Sequence, residues 1–323
     1  MSNPFAEFSG RRRFLQHVLT SAASATGLLP VFADGPACIG TDELFHLPNG
    51  CRIGYRRFGN ANGLPVLYFH GNPSCRLEVE LVADDAWRNR VQIVAIDRPG
   101  IGSSSYFPCH TESRWPHYVE PLIDHLLLTS QYDKCGLIGF STGTVYALAC
   151  AAHLPNKIGA VVILGPRSPG APYVPEGTLD KAVSQLEKYP RIARFVLSQS
   201  VRKVRRDRGP MVGSELLAPV DRQIMESNRP LLRSVFLEAA RCGVKGLIQD
   251  ATSLQWPWCI DLSAISMPVA LWFGSCDWGA PPNTIIADRI PTSSMLVYQG
   301  DGHLSLLRYR FADAIEWIES QME

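Results

Sequence analysis

Short apolar runs separated by helix-like stretches constrain this chain more than any other feature. Residues 65–70, 92–97, 135–140, 158–164 and 268–274 are nearly continuous in apolar side chains. A strand with one wet face alternates apolar and polar residues, whereas an unbroken apolar run suits a strand covered on both faces, as in a parallel sheet. Residues 52–58 read as an earlier, partly exposed strand, and 295–299 as the last one. Helix-like patterning occupies 79–90, 114–132, 141–153 and 304–322. This alternation predicts an α/β fold with a doubly wound, mostly parallel sheet.

One segment breaks the rhythm. Residues 169–259 carry helical patterning but no good strand run, and they open on Pro169, Pro172 and Pro175. The segment is expected to be a helical insertion over the sheet, with the core built from 34–168 and 260–323. Its basic run, from Val201 to Arg208, reads as a solvated helix face. The 323 residues, 46% of them hydrophobic, suffice for one large domain with an insertion. A net charge of +1 gives no reason to expect a nucleic-acid partner.

The first 33 residues stand apart. Arg11, Arg12 and Arg13 precede Phe14 and Leu15, and no charged residue follows until Asp34. The stretch is too rich in Ser, Thr and Gly for a membrane span. It reads as a basic tip, an apolar region and a small-residue cleavage end at Val31-Phe32-Ala33. The arginine pair followed by x-Phe-Leu resembles a twin-arginine export signal, which implies export of a folded protein to the periplasm or beyond. An organelle transit peptide and a plain disordered tail on a cytoplasmic protein are the alternatives. Losing 1–33 removes three arginines and one glutamate, moving the net charge from +1 to −1. No stable membrane insertion is expected of the remainder.

Nine cysteines are scattered without a C-x-x-C pair, so zinc and dithiol redox readings lack support. Buried free thiols are the expected state.

Gly139-Phe140-Ser141-Thr142-Gly143 carries the chemistry. It follows an apolar strand and precedes a helix, the setting of a nucleophile elbow. The turn strains the serine backbone and exposes its hydroxyl at a helix N-terminus, where negative charge is favoured. A serine needs a base. His303, between the last strand and the last helix, is the candidate. Asp277, just past the 268–274 strand, is the acid expected to orient it. Asp250, Asp261 and Asp301 are rivals placed less well. Backbone N–H groups of Thr142 and Asn72 are expected to form an oxyanion hole, with Gly71 allowing close approach and Pro73 stiffening the turn.

Taken in order, His70-Gly71-Asn72-Pro73, the run from Asp97 to Ser104, the elbow, Asp277 and Gly302-His303 resemble the α/β-hydrolase superfamily over about 40–323. The resemblance implies the α/β-hydrolase fold, a Ser–His–Asp triad and a helical cap at 169–259. In such proteins Asp97-Arg98 would organise the loop beside the site. The His-Gly-Asn-Pro loop is similar to that of haloalkane dehalogenases, but those and epoxide hydrolases use aspartate where this chain has Ser141. Asn72 and Ser74 depart from the iminopeptidase loop. The expected activity is therefore hydrolysis of a carboxylic ester or related acyl bond of a small molecule, without metal or organic cofactor. Hydrolysis of a C–C bond in a β-dicarbonyl compound, a peptidase, or a non-catalytic binding module are alternatives. Tyr189, Phe195, Phe236, Leu237, Trp256 and Trp258 are candidate pocket aromatics and aliphatics.

Overall fold

The computed structural model describes residues 42–82, 90–107, 111–167, 189–206, 217–252, 258–277 and 284–323. The 1–33 segment, Cys38, Cys109, Trp256 and the proline-rich start of the insertion lie outside the described residues.

Eight strands form one sheet: β1 (Asp42–His46), β2 (Arg52–Gly59), β3 (Leu64–Phe69), β4 (Val91–Ile96), β5 (Cys135–Phe140), β6 (Ile158–Leu164), β7 (Val269–Gly274) and β8 (Ser293–Tyr298). Their spatial order is β1-β2-β4-β3-β5-β6-β7-β8. The first two strands pair antiparallel, and β2 runs antiparallel to β4. Every other pairing is parallel. All seven strands expected from apolar runs are present within two residues of their predicted bounds. The strand not foreseen is β1, whose side chains alternate between exposed and half-buried. An edge strand needs no apolar run, so it left no such signal.

Strand alternation splits the core into two layers. Leu67 and Phe69 of β3, Leu137 of β5 and Ile163 of β6 face α1 (Trp115–Leu128) and α2 (Gly143–His153). Val66, Tyr68, Ile138 and Val162 face the opposite layer, where the last helix packs. Each buried Leu, Ile or Phe stabilises the fold by roughly 1.5–3 kcal/mol, so both covers are held firmly on the sheet.

Among the described residues between β6 and β7 lie four α-helices: α3 (Pro190–Arg205), α4 (Pro219–Ser227), α5 (Arg229–Ala239) and α6 (Lys245–Thr252). The described residues of this stretch contain no strand. Val201, Val204, Val235, Phe236 and Leu247 form a small core of their own with Cys75 and Ile101 from loops of the sheet domain. On α3, Arg202, Lys203 and Arg205 are exposed while Val201 and Val204 are buried, as an amphipathic face requires. The last helix, α7 (His303–Met322), follows β8. No helix among the described residues is long and apolar enough to cross a membrane.

The seven described cysteines are all unpaired. Cys75, Cys135 and Cys150 are buried, but Cys242, Cys259 and Cys276 are exposed, so burial of free thiols holds only in part.

Candidate active site

Ser141 sits between β5 and α2 with a backbone φ of 53°, and among the described residues it is the one non-glycine at positive φ. Such a conformation costs about 1–3 kcal/mol and persists only where the surroundings impose it. Here the Ser141 N–H donates to the Leu164 carbonyl at 3.0 Å, and its own carbonyl accepts from the Thr144 N–H at 3.0 Å. The flanking glycines are needed sterically. A Cβ on Gly143 would lie 2.1 Å from the Phe69 carbonyl oxygen, and one on Gly139 would lie 2.8 Å from the Gly143 oxygen.

His303 begins α7, past the end of β8. Its Nδ1 lies 2.6 Å from Oδ2 of Asp277, which follows β7. The Asp277 side chain is fully buried, while that of His303 is 16% exposed. The imidazole leans on the Phe140 ring at a centroid distance of 4.8 Å. Gly165, at the end of β6, closes the back: a Cβ there would come within 2.9 Å of His303 Cε1 and Nδ1. The rival acids are engaged elsewhere. Asp261 caps its own turn through the Ser263 N–H, Asp301 pairs with Arg310, and Asp250 pairs with Arg98. Among other histidines, His153 Nδ1 is 2.9 Å from the Ala149 carbonyl on α2. His70 is fully buried, and its Nδ1 faces the Gly71 carbonyl at 2.7 Å. Burial, then the charge of Arg98, pulls the His70 pKa well below its ordinary value.

Ser141 and His303 line one cavity of about 130 Å³ together with Gly71, Asn72, Pro73 and Ser74. The chain ends that meet here all leave the carboxyl ends of parallel strands, where α/β sheets place their ligands. Three helices of the insertion supply the apolar wall, through Val204, Met225, Leu232, Val235 and Phe236. Of the described residues expected to line a pocket, only Phe236 lines this cavity, and Trp256 lies outside the described residues. Tyr189 and Phe195 are exposed, Leu237 packs within the insertion, and Trp258 is buried in the α1–α2 layer.

The loop after β3 is held by groups the sequence did not single out. Glu78 accepts from the Tyr68 hydroxyl at 2.6 Å and from the Gly71 N–H at 2.8 Å. That engages the Gly71 donor. The Asn72 side chain turns to the insertion and donates to the Leu247 carbonyl at 3.1 Å and to Asp250 at 2.7 Å. Among the described residues, the backbone N–H groups of Asn72 and Thr142 have no acceptor. Arg98, with no exposed side-chain surface, grips Asp250 through two contacts of 2.6 Å. It also donates to the carbonyls of His70 and Gly71 and to the Thr142 hydroxyl. One guanidinium thus ties the loop, the elbow and the insertion together. Burial raises the Asp250 carboxyl, but the charge and hydrogen bonds of Arg98 outweigh it and hold it below the ordinary range. Beside it, buried Arg76 bridges Asp97, Asp42 and Glu238, joining β1, the end of β4 and α5. Asp97 and Arg98 therefore organise the loop, as the resemblance implied.

A further contact reaches the backbone of His303. Asp221 on α4, 1% exposed, accepts the backbone N–H of His303 at 2.5 Å and that of Ser305 at 2.9 Å. These are the first and third donors of α7.

An eight-stranded, mostly parallel sheet with a serine elbow and a histidine–aspartate pair at its carboxyl end defines a class of hydrolase. The alpha/beta hydrolase fold family model matches residues 65–308. The chain belongs to that family and is a hydrolase. No curated protein sequence matches it. A thermophilic esterase from Thermogutta terrifontis superposes with a TM-score of 0.64 at 20% identity, over 88% of this chain and 100% of the esterase. The esterase RhEst1 from Rhodococcus sp. ECU1013 gives 0.62 at 18% identity, over 87% and 99%. The epoxide hydrolase CorEH gives 0.65 at 17% identity, over 86% and 97%. At such identities the likeness is one of fold.

Proposed function

We propose that the protein is a serine hydrolase of carboxylic esters, acting through Ser141, His303 and Asp277. The observation that carries this reading is the placement of strained Ser141 and His303 around one cavity, with Asp277 at 2.6 Å on the far nitrogen of the imidazole. A carboxylate at Nδ1 keeps the proton there and leaves Nε2 as the acceptor.

In the first half-reaction the Ser141 oxygen attacks the ester carbonyl and its proton passes to His303. The oxyanion is held by the Asn72 and Thr142 N–H groups, a role supported by their lack of acceptors and by the use of Gly71 elsewhere. Collapse expels the alcohol, which takes the proton from His303. Water, deprotonated by His303, then attacks the acyl-enzyme, releasing the carboxylic acid and restoring Ser141. No step calls for a metal or organic cofactor. The helices between β6 and β7 act as the cap that sets the substrate. The Ser141 side chain favours this chemistry over that of an epoxide hydrolase, despite the shared fold with CorEH, because an aspartate ester intermediate has no counterpart here.

Ser141→Ala is expected to abolish turnover of a short aryl ester and labelling by a fluorophosphonate, with circular dichroism unchanged. Turnover or labelling that survives the substitution rules the mechanism out. We also infer export directed by residues 1–33. Full-length protein confined to the cytosol of the native host would refute it.

A further inference from the structure

Asp250 lies on α6, between β6 and β7, yet the supports of both proposed oxyanion donors end on it. Its Oδ2 accepts from Asn72 Nδ2 at 2.7 Å and from Arg98 Nη2 at 2.6 Å, and its Oδ1 accepts from Arg98 Nε at 2.6 Å. The Asn72 amide also donates to the Leu247 carbonyl on the same helix. From the other side, Arg98 Nη2 donates to the Thr142 hydroxyl at 3.0 Å, and that hydroxyl faces the His70 carbonyl at 3.5 Å. Asn72 and Thr142 are thus each held by the side chain, and neither hold uses the backbone N–H. Arg98 and Asp250 are 0% and 2% exposed and stand behind the cavity lining, so they meet a bound ester through Asn72 and Thr142 rather than directly. The helix that carries Asp250 is itself seated closely on the sheet domain. A Cβ on Gly246 would lie 2.2 Å from the Gly100 carbonyl oxygen, and Lys245 Nζ stands 3.8 Å over the Tyr106 ring. The carboxylate therefore has little room to shift.

We propose that Asp250 is a positioning residue for the oxyanion hole, setting the aim of the Asn72 N–H directly and that of the Thr142 N–H through Arg98. The proposal rests on the ester-hydrolase reading of the same site. On it, the helices between β6 and β7 contribute to transition-state stabilisation as well as to the cavity wall. Donors of this kind matter most where charge develops, and the ground-state carbonyl carries little of it. Loosening their supports should therefore lower kcat and leave KM nearly unchanged. A role confined to holding the fold together predicts no such split.

The test uses the purified full chain and two variants. Asn72→Ala removes the direct hold, changes no charge and keeps the backbone N–H. Asp250→Asn weakens both holds at once. Should Asp250→Asn fail to fold, Asn72→Ala carries the test alone, with circular dichroism as the check on folding. Initial rates on 4-nitrophenyl butanoate give kcat and KM. An alkyl trifluoromethyl ketone gives the affinity for a tetrahedral oxyanion: the Ser141 oxygen adds to the ketone carbon, its proton passes to His303, and the former carbonyl oxygen takes the negative charge. In Asn72→Ala, kcat is expected to fall at least about tenfold with KM within about threefold of the wild type, because misplacement by about an ångström costs on the order of a hundredfold. The inhibition constant of the ketone should rise by a similar factor. Asp250→Asn should lose at least as much. The acid limb of the kcat/KM profile, set by His303, should stay in place because neither variant touches the imidazole. A normal kcat in folded Asn72→Ala, a rise in KM alone, a loss of kcat with unchanged ketone affinity, or a moved acid limb would each overturn the positioning role. Wild-type turnover matched by both variants defeats this inference alone. A wild type that neither cleaves the ester nor binds the ketone defeats the ester-hydrolase reading beneath it.

Discussion

Replacing Asp221 with alanine tests whether the helices between β6 and β7 position His303, the proposed base. Gly302 occupies the position before α7, where a Ser, Thr or Asp side chain usually accepts an N–H of the first turn. Glycine has no such group. The Ser305 hydroxyl accepts the Gly302 N–H at 2.7 Å, which supplies half of the reciprocal arrangement. Asp221 supplies the other half from a different helix, 84 residues away in sequence, by taking the Ser305 N–H as well as that of His303. Gly302 is also what lets it approach, since a Cβ there would lie 2.3 Å from Asp221 Oδ2.

Losing a helix cap costs about 1–2 kcal/mol, and a hydrogen bond to a charged group contributes roughly 1.5–3 kcal/mol. Two buried bonds that share one carboxylate do not add fully, so Asp221→Ala should cost about 3 kcal/mol. With about 2 cal/mol/K of unfolding entropy per residue, a chain of this length should lose roughly 4–5 °C in Tm. The His303 backbone would lose its anchor, and misplacement by about an ångström costs on the order of a hundredfold in rate. At a temperature well below the transition, kcat for a short ester should therefore fall by roughly ten- to a hundredfold, with KM little changed. Asp221→Asn keeps one acceptor and should recover part of both losses. Gly302→Ala should reproduce them by pushing the carboxylate away. Differential scanning fluorimetry and initial rates report the two quantities separately. A Tm loss below about 1 °C refutes the capping argument. A normal kcat in a destabilised protein refutes the positioning argument.

Three further substitutions probe the surroundings. Gly165→Ala places a methyl group 2.9 Å from the His303 ring at a φ of 59°, so it should lower kcat at least about a hundredfold; near-normal kinetics would contradict the packing. Arg98→Lys leaves buried Asp250 short of its paired contacts and should cost about 3–5 kcal/mol in urea unfolding, a large downward shift in midpoint. Glu78→Gln should change the pH dependence of stability. The raised folded pKa of Glu78 gives a contribution fully present below its ordinary value of 4.5 and lost as pH rises through the folded value. Gln has no such titration, so the variant should gain on the wild type between about pH 4 and pH 8, and an equal difference at both pH values would refute the direction.

What the sequence revealed and what it hid divide by range. A strand covered on both faces needs apolar residues in succession, so β3 to β7 could be read from local composition. Ser141, Asp277 and His303 each stand within a few residues of a strand end, and their order along the chain completes the pattern. β1 is half-wet and edge-placed, so nothing local marked it. The supports of the site are non-local. Asp250 meets Asn72 across 178 residues, and Asp221 meets His303 across 82. Either aspartate, read in its own helix, is indistinguishable from a solvated surface acid; only the fold turns it inward.

The same division explains why the chemistry was easier to read than the substrate. The groups proposed to react are fixed by strand ends and by backbone strain at Ser141, both encoded over a handful of residues. The wall opposite them comes from three helices whose mutual placement depends on buried pairs such as Arg98–Asp250 and on contacts such as Cys75 Sγ to the Val235 carbonyl at 3.4 Å. Spacing within one helix cannot say which of its apolar residues face that cavity. Tyr189 and Phe195 follow helical spacing as well as Phe236 does, yet they face solvent while Phe236 faces Ser141 across the cavity. Substitutions in this wall should therefore alter which ester is preferred, whereas substitutions at the strand ends should alter whether any ester is cleaved.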